Sequence, residues 1–276
     1  MAALSSKMKQ SYRKQGYLII RGNEVRWIKD RLKNDLKVMA LEIMKRSPAG
    51  VSLVSRLKNK SFQEIFDACI AHEKKNEISR SFYELFPVSF SVMELLGHPF
   101  FTGISRSLDL AYPIPSTMPI LRIDRPRESR YLTPAHQDYW YSFLSFNSLT
   151  YWFPMFPITE KMGHLLVVPG SHVNGNLPIR QWSDENPFAL RNEIELKKYV
   201  PVDLAENEVL VFSQYLIHRS GENRSDRARL TIQVRHNDLR TLDKLTTSFT
   251  PKHSVYTALA QKEWLDKSWR GEISRE

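Results

Sequence analysis

Residues 208–234 read EVLVFSQYLIHRSGENRSDRARLTIQV. Two runs rich in aromatic and β-branched residues flank a polar turn, a pattern typical of β-strands joined by a loop. The first run ends on His218, and the second opens on Arg229. We therefore expect the fold to bring a histidine at the end of one strand close to an arginine at the start of the next.

Similar short runs occur upstream, and Gly, Pro, Asn and Asp separate them. Short strands at such spacing predict a β-sandwich or barrel. We predict one domain over residues 1–276, mainly β with flanking helices, in which residues 96–245 form a jelly roll of about eight strands. An unrelated α+β domain is the alternative. The predicted strands include 118–123, 148–153, 164–168, 208–212 and 230–234.

The first 95 residues are predicted to be mostly helical and to buttress the jelly roll. Asn23 is a candidate helix cap, and apolar residues follow at three- and four-residue steps up to Ile43. A second helical stretch covers about 61–96, with an interruption near Pro87. At the other end of the chain, residues 246–276 are predicted to form a helical tail, with a helix at 255–269.

The net charge of +10 is unevenly distributed, since residues 1–60 hold fifteen Lys and Arg against four Asp and Glu. A solvated helix face explains such a segment, and a patch that attracts an anionic substrate is the sharper alternative. Nucleic-acid binding is not expected, because no recognised motif accompanies the charge.

Cys69 is the one cysteine, so a disulfide within the chain is impossible. No apolar run approaches the length of a membrane span, and the N-terminus lacks the apolar region of a signal peptide. We expect a cytoplasmic protein with no membrane partner.

The stretch TPAHQD at 133–138 enters a strand-like aromatic run, YWY at 139–141. Residues two apart on a strand point to the same side, so His136 and Asp138 can offer a nitrogen and a carboxylate to one ion. His218 is the candidate for the third ligand. Two histidines and one carboxylate leave open positions on an octahedral ion, as in non-haem iron(II) oxygenases.

Each of these residues also has a purely structural interpretation, and a lone histidine at a strand end is usually structural. A second His-x-Asp pair, His236 and Asp238, lacks a downstream strand that ends in histidine and is followed by arginine. The ordered set that includes His218 favours the first pair. Arg229 then supplies a planar fork suited to the carboxylate of a cosubstrate.

With these motifs, the sequence resembles the phytanoyl-CoA dioxygenase-like family of iron(II)/2-oxoglutarate-dependent oxygenases. The resemblance spans about 17–234 and is carried by HQD at 136–138, by GHLLVVPGSH at 163–172, and by His218 followed by Arg229. It implies a double-stranded β-helix of the cupin type. His172 belongs to the Pro-Gly-Ser-His turn and is not expected to bind metal.

The resemblance also implies the site: iron(II) bound by His136, Asp138 and His218, with Arg229 on the distal carboxylate of 2-oxoglutarate. Further cosubstrate contacts implied by the resemblance are Ser220, Gln137 and Trp152. Thr231 is added because it points the same way as Arg229 on a strand.

The implied reaction is oxidation by O2 and 2-oxoglutarate of a C–H bond in a small-molecule metabolite, with release of succinate and CO2. Hydroxylation or another oxidation is favoured over halogenation because related halogenases lack the carboxylate that Asp138 provides. A catalytically inactive jelly-roll binding module and a peptide or nucleic-acid hydroxylase remain alternatives. The aromatic residues at 139–141 either line the substrate pocket or belong to the core.

Overall fold

The computed structural model describes residues 4–73, 77–116, 119–142, 145–181 and 188–241. The predicted tail at 246–276, with its helix at 255–269, lies outside these residues, as does Met118 at the start of one predicted strand. The prediction of a single domain over 1–276 therefore stays a prediction.

Helices make up most of the chain up to residue 107, which is past the predicted boundary at residue 95. Asn23 was predicted to be a cap but is the first helical residue, and Gly22 precedes the helix without a side-chain cap. The interruption near Pro87 is a short 3₁₀ turn. The helices are α1 Ser6–Gln15, α2 Asn23–Met44, α3 Pro48–Leu57, α4 Phe62–Ala71, α5 Glu77–Leu85, α6 Phe90–Gly97 and α7 Pro99–Ser107.

Helix α2 packs one face against α4, α5 and α6. The buried face follows the three- and four-residue steps of Val25, Ile28 and Leu32. Lys29 lies on this same face and is only 2% exposed. It therefore belongs neither to a solvated helix face nor to a surface patch that attracts an anion, which were the two interpretations of the basic residues at 1–60. Its Nζ donates to the carbonyl of Glu208 at 3.4 Å, and burial lowers its pKa to about 8.

The strands form antiparallel sheets. The strands are β1 Tyr17–Arg21, β2 Pro113–Pro115, β3 Ile120–Asp124, β4 Ser148–Pro154, β5 Leu165–Val167, β6 Ile179–Gln181, β7 Phe188–Leu190, β8 Val200–Val202, β9 Glu208–Ser213, β10 His218–Ser220 and β11 Arg229–Asp238. The main sheet has the order β1-β9-β4-β11-β2, with β3 also paired to β11, and a smaller sheet has the order β10-β5-β8. A further pair joins β6 and β7. The predicted class, mainly β with flanking helices, is confirmed.

The main sheet uses its two faces differently because side chains alternate along a strand. On β11, Leu230, Ile232 and Val234 join the large apolar core that includes the helices. The residues between them face a cavity on the other side of the sheet. On β4, Trp152 likewise faces away from the helices and packs with residues of the smaller sheet such as Leu165.

Candidate metal centre

His136 and His218 are neighbours through their backbones. The N–H of each donates to the carbonyl of the other, at 3.0 and 3.1 Å, which makes an isolated antiparallel bridge. Directly paired residues of this kind project their side chains to the same side. Their imidazole rings accordingly lie 4.1 Å apart, measured between centroids.

Both imidazoles are fixed in the same orientation by backbone carbonyls. Nδ1 of His136 lies 2.8 Å from the carbonyl oxygen of Pro134, and Nδ1 of His218 lies 2.9 Å from that of Leu216. A carbonyl oxygen only accepts, so Nδ1 must carry the proton in each ring. Each Nε2 then keeps its lone pair for a metal, which is the usual arrangement of a metal-binding histidine.

Asp138 completes the set. Its Oδ1 lies 3.6 Å from Nε2 of His136 and 3.7 Å from Nε2 of His218. The three ligand atoms lie within 4.8 Å of one another, and all three residues are buried. Two imidazoles and one carboxylate on one side are the donor set of non-haem iron(II) sites, so the residues present fit iron.

His136 and Asp138 were predicted to converge because they point to the same side of one strand, and this explanation was partly wrong. The aromatic residues after Asp138 do not continue a strand, because they form the helical turn α8, Tyr139–Ser142. The N–H groups of Trp140 and Tyr141 donate back to the carbonyls of Gln137 and Asp138. His136 and Asp138 therefore converge through one β-bridge followed by a turn.

Two residues that sequence analysis missed hold the Asp138 carboxylate. Thr150 donates its hydroxyl to Oδ2 at 2.5 Å, and Arg235 donates to Oδ2 through Nε at 3.3 Å and to Oδ1 through Nη2 at 3.1 Å. Burial alone would raise the pKa of Asp138, but Arg235 and the two histidines lower it well below its ordinary value. A signal for Arg235 existed, because it lies six residues after Arg229 and an even spacing keeps both on one face of a strand.

His218 is set up as a neutral ligand. Burial, followed by the neighbouring His136, lowers its pKa to about 3. Metal binding requires the unprotonated imidazole, so at neutral pH no proton competes with the metal at this position.

The triad opens onto a cavity of about 450 Å³. Its wall includes five arginines and two aspartates, together with apolar and aromatic side chains. The cavity is also lined by three of the residues predicted to contact the cosubstrate, Ser220, Thr231 and Trp152. The hydroxyl of Thr231 is buried and makes no hydrogen bond within the described residues, so it is available to a ligand.

Gln137 is the exception among the predicted cosubstrate residues. Its side chain is fully buried and does not line the cavity. Its amide nitrogen donates to the carbonyls of Gly175 and Tyr215, and its oxygen accepts from the N–H of Leu177. The amide therefore connects the loops behind the triad, which corrects the prediction of a cosubstrate contact.

Arg229, predicted to bind the cosubstrate, lines the cavity, and protein groups engage its guanidinium. Nε and Nη2 bind Oδ2 of Asp124 at 3.0 and 2.9 Å, and Nη1 donates to the carbonyls of Met162, Gly163 and Gly221. Asp124 thus holds the fork in position, and it is directly opposite Arg229 in the pairing of β3 with β11.

Arg122 shares the carboxylate of Asp124, with Nε and Nη2 each at 2.8 Å from Oδ1. Although burial raises the pKa of Asp124, the two arginines lower it below its ordinary value. The buried Arg229 and the half-buried Arg122 therefore face one anion, and this end of the cavity carries one excess positive charge. Sequence analysis did not identify Arg122 or Asp124.

The second His-x-Asp pair and His172 have structural surroundings. His236 lies on the helix side of the sheet, with Nδ1 2.8 Å from the hydroxyl of Ser105, and the carboxylate of Asp238 accepts from the N–H groups of two residues that precede β2. His172 contacts the ring of Tyr12. Among the described residues, His136, Asp138 and His218 form the one His/Cys/Asp/Glu group whose ligand atoms converge on a metal position.

The family model for phytanoyl-CoA dioxygenase (PhyH) matches residues 12–231. The chain belongs to this family. As a member, it is a 2-oxoglutarate-dependent dioxygenase that uses iron(II), 2-oxoglutarate and O2, and the buried triad fits the iron. The predicted family, enzyme class and cofactors are thereby confirmed.

Solved structures similar to this dioxygenase support the same fold. The apo form of the non-heme monooxygenase ThoJ has a TM-score of 0.56 and 16% identity, over 84% of this chain and 77% of its own. EvdO2 from Micromonospora carbonacea var. aurantiaca, complexed with 2-oxoglutarate, has a TM-score of 0.55 and 17% identity, over 88% and 96%. At such identity the likeness shows the fold alone, and it confirms the cupin-like jelly roll.

The epimerase SnoN, in complex with Fe3+, alpha ketoglutarate and nogalamycin RO, is also similar, with a TM-score of 0.50 and 18% identity over 84% of this chain and 82% of its own. A comparison with curated proteins found no match. No helix in the described part of the dioxygenase combines the length and the apolar character that crossing a membrane requires.

Proposed function

We propose that this dioxygenase hydroxylates, or otherwise oxidises, a C–H bond of a small-molecule metabolite with release of succinate and CO2. The observation that carries the proposal is the convergence of three buried ligand atoms, within 4.8 Å of one another, at the wall of a cavity. His136, Asp138 and His218 are the proposed metal ligands and catalytic residues. The presence of Asp138 favours oxygen transfer over halogenation.

The cosubstrate end of the cavity lies at Arg229. Arg122 and Arg229 share Asp124, and the excess positive charge favours a carboxylate there. The unpaired hydroxyl of Thr231 supplies a further donor on the same strand face, and Ser220 lines the same cavity. We propose that these residues hold the distal carboxylate of 2-oxoglutarate, while Trp152 contributes an apolar wall.

Iron(II) and 2-oxoglutarate, when bound, supply the oxidising chemistry, in which O2 converts 2-oxoglutarate to succinate and CO2 and oxidises the substrate. The chain contributes orientation and the exclusion of water. The carbonyls of Pro134 and Leu216 fix the two imidazoles, and Thr150 and Arg235 fix the Asp138 carboxylate. A preorganised donor set of this kind needs little rearrangement when a metal binds.

A cavity of about 450 Å³ suits a small molecule rather than a polymer groove. The similar SnoN structure contains nogalamycin RO, also a small molecule. These observations favour a small-molecule substrate over a peptide or nucleic acid, and the arginines of the cavity favour an anionic one. We place the enzyme in the cytoplasm, as its single, buried cysteine suggests.

The test compares the wild-type protein with the His218→Ala variant in three steps. Zinc(II) titration measures the metal site, anaerobic iron(II) with 2-oxoglutarate gives the visible absorption of a 2-oxo acid chelate, and succinate is then measured over a metabolite library. We expect all three signals in the wild type and none in the variant. A wild type that binds metal and 2-oxoglutarate yet releases no succinate with any compound would favour the inactive binding module.

A further inference from the structure

Arg235 is a buried cation whose assigned role is to hold the carboxylate of Asp138. It is 4% exposed, and its side chain lines the cavity. It lies on β11 six residues beyond Arg229, so the two side chains share a face of the strand about 20 Å apart along the backbone at ~3.3 Å per residue. The two arginines therefore mark opposite ends of one cavity wall.

The guanidinium of Arg235 is only partly used. Nε and Nη2 bind the carboxylate of Asp138, at 3.3 and 3.1 Å. Nη1 makes no hydrogen bond to any residue that the structure describes, although it carries two N–H donors. Arg229 differs in this respect, because its Nη1 is taken up by three carbonyls.

The charges that line the cavity leave it able to accept one further anion. Arg80 and Arg125 also line the cavity, but they pair with three glutamates that do not line it. The remaining three arginines face two aspartates within the described residues, which leaves one positive charge. Iron(II) and the dianion of 2-oxoglutarate carry equal and opposite charges, so loading the enzyme does not change this excess. The three arginines are Arg122, Arg229 and Arg235, and the aspartates are Asp124 and Asp138.

We propose that Arg235 anchors a singly charged anionic group of the substrate, such as a carboxylate, through Nη1 while Nε and Nη2 hold Asp138. This inference rests on the proposed function. Since Nη2 lies 3.1 Å from Oδ1 of Asp138, the oxygen that faces both imidazoles, an anion on the same guanidinium lies close to the metal position. The substrate class is therefore a small organic acid that is oxidised at a carbon near its acid group.

The test uses trifluoroacetate and its neutral analogue trifluoroacetamide as probes. Both are small enough to enter a cavity of about 450 Å³, so shape does not decide whether they bind. The protein is loaded with redox-inert zinc(II) and saturated with 2-oxoglutarate, which occupies the Arg229 end. Binding is measured by 19F NMR relaxation for the wild type, for Arg235→Gln, and for Arg240→Gln as a control outside the cavity wall.

We expect the wild type and Arg240→Gln to bind trifluoroacetate and not the amide, and Arg235→Gln to bind trifluoroacetate at least tenfold more weakly. If Arg235→Gln does not fold, Arg235→Lys replaces it, because one ammonium group cannot hold Asp138 and the probe with the same fork. Its binding should also fall.

Equal binding by the wild type and the Arg235 variant would overturn the proposal, and so would a loaded wild type that binds no trifluoroacetate. A wild type that fails to bind zinc(II) or 2-oxoglutarate would contradict the proposed function instead. That failure is seen before either probe is added.

Discussion

His136 and His218, which are 82 residues apart in the chain, donate their backbone N–H groups to each other's carbonyl oxygens. The spacing of the two imidazoles is thus set by main-chain hydrogen bonds, which do not depend on the side chains. The site should therefore keep its shape when one ring is removed.

We predict that His136→Ala weakens zinc(II) binding by more than about 100-fold while it lowers the free energy of unfolding of the metal-free protein by only about 1 kcal/mol. Isothermal titration and urea unfolding measure the two quantities. His172→Ala is the control, and its zinc affinity should equal that of the wild type. Tight zinc binding by His136→Ala would remove this residue from the site.

Thr150 is predicted to act on the metal through Asp138. Thr150→Val is close to isosteric and removes the donor that lies 2.5 Å from Oδ2, so the carboxylate loses part of its orientation. Zinc affinity should fall by about 10-fold, as expected for the loss of a hydrogen bond behind a metal ligand. Thr102→Val, which loses only a bond to the carbonyl of His98 just before α7, should bind zinc as the wild type does. Equal affinity in both variants would contradict the role of Thr150.

Arg229→Lys should raise the dissociation constant for 2-oxoglutarate by about 10- to 100-fold, because an ammonium cannot reproduce the planar fork. Zinc affinity should change by less than about threefold. The variant should also lose about 3 kcal/mol of stability, because the buried Asp124 loses the two donors of Arg229 and keeps only those of Arg122. Arg227→Lys, at the exposed ion pair with Asp67, serves as the control. An unchanged dissociation constant would assign the cosubstrate to another cation.

His236 should make the metal-free protein sensitive to acid. Burial lowers its pKa to about 4, whereas the unfolded chain has the ordinary value of about 6.5. Between these two values the unfolded state binds the extra proton, so stability falls as the pH falls from about 6.5 to 4, by up to about 3 kcal/mol. Urea unfolding at several pH values should show a shallower loss for His236→Gln. Parallel curves would exclude His236 as a source of the acid sensitivity.

Lys29→Met should stabilise the protein. Burial lowers the pKa of Lys29 to about 8 from 10.5, so below pH 8 the folded state holds a charged ammonium that the unfolded state keeps in water. Removal of this charge should raise the free energy of unfolding at pH 7 by about 1–3 kcal/mol. The gain should shrink as the pH rises from 8 to 10.5, where the wild type loses the proton. Lys45→Met, at an exposed ion pair, should change stability by less than about 0.5 kcal/mol.

The sequence was sufficient to predict the triad because its signals are local. The predicted strand start at Arg229 is the start of β11, whereas the strand predicted to end at His218 ends at Ser213 as β9, and His218 begins β10. The short strands likewise predicted the sheets, since each is a run of aromatic and β-branched residues bounded by turn residues. The family resemblance added the cosubstrate contacts, of which Gln137 was placed wrongly.

Other features depend on pairing across the fold and were not predictable in this way. The salt bridge between Asp124 and Arg229 needs the register of β3 against β11, which no local pattern specifies. The aromatic run at 139–141 has high strand propensity, but that propensity depends on context, and the run forms a helical turn. Lys29 is a different case, because it follows Val25 by four residues and precedes Leu32 by three, so the periodicity itself placed it on the buried face.

Side chains along β11 alternate between the helix-side core and the cavity wall, so substitutions on the two faces should affect different properties, stability on the first and substrate selectivity on the second. Leu230, Ile232 and Val234 pack in the helix-side core, and substitutions there should change stability with little effect on which compounds are oxidised. Gln233 faces the cavity side of the sheet and has no proposed role toward the cosubstrate, so a library that varies this position can explore new substrates on an unchanged scaffold. In a laboratory evolution experiment, stability and substrate selectivity can therefore be adjusted separately through the two faces of this one strand.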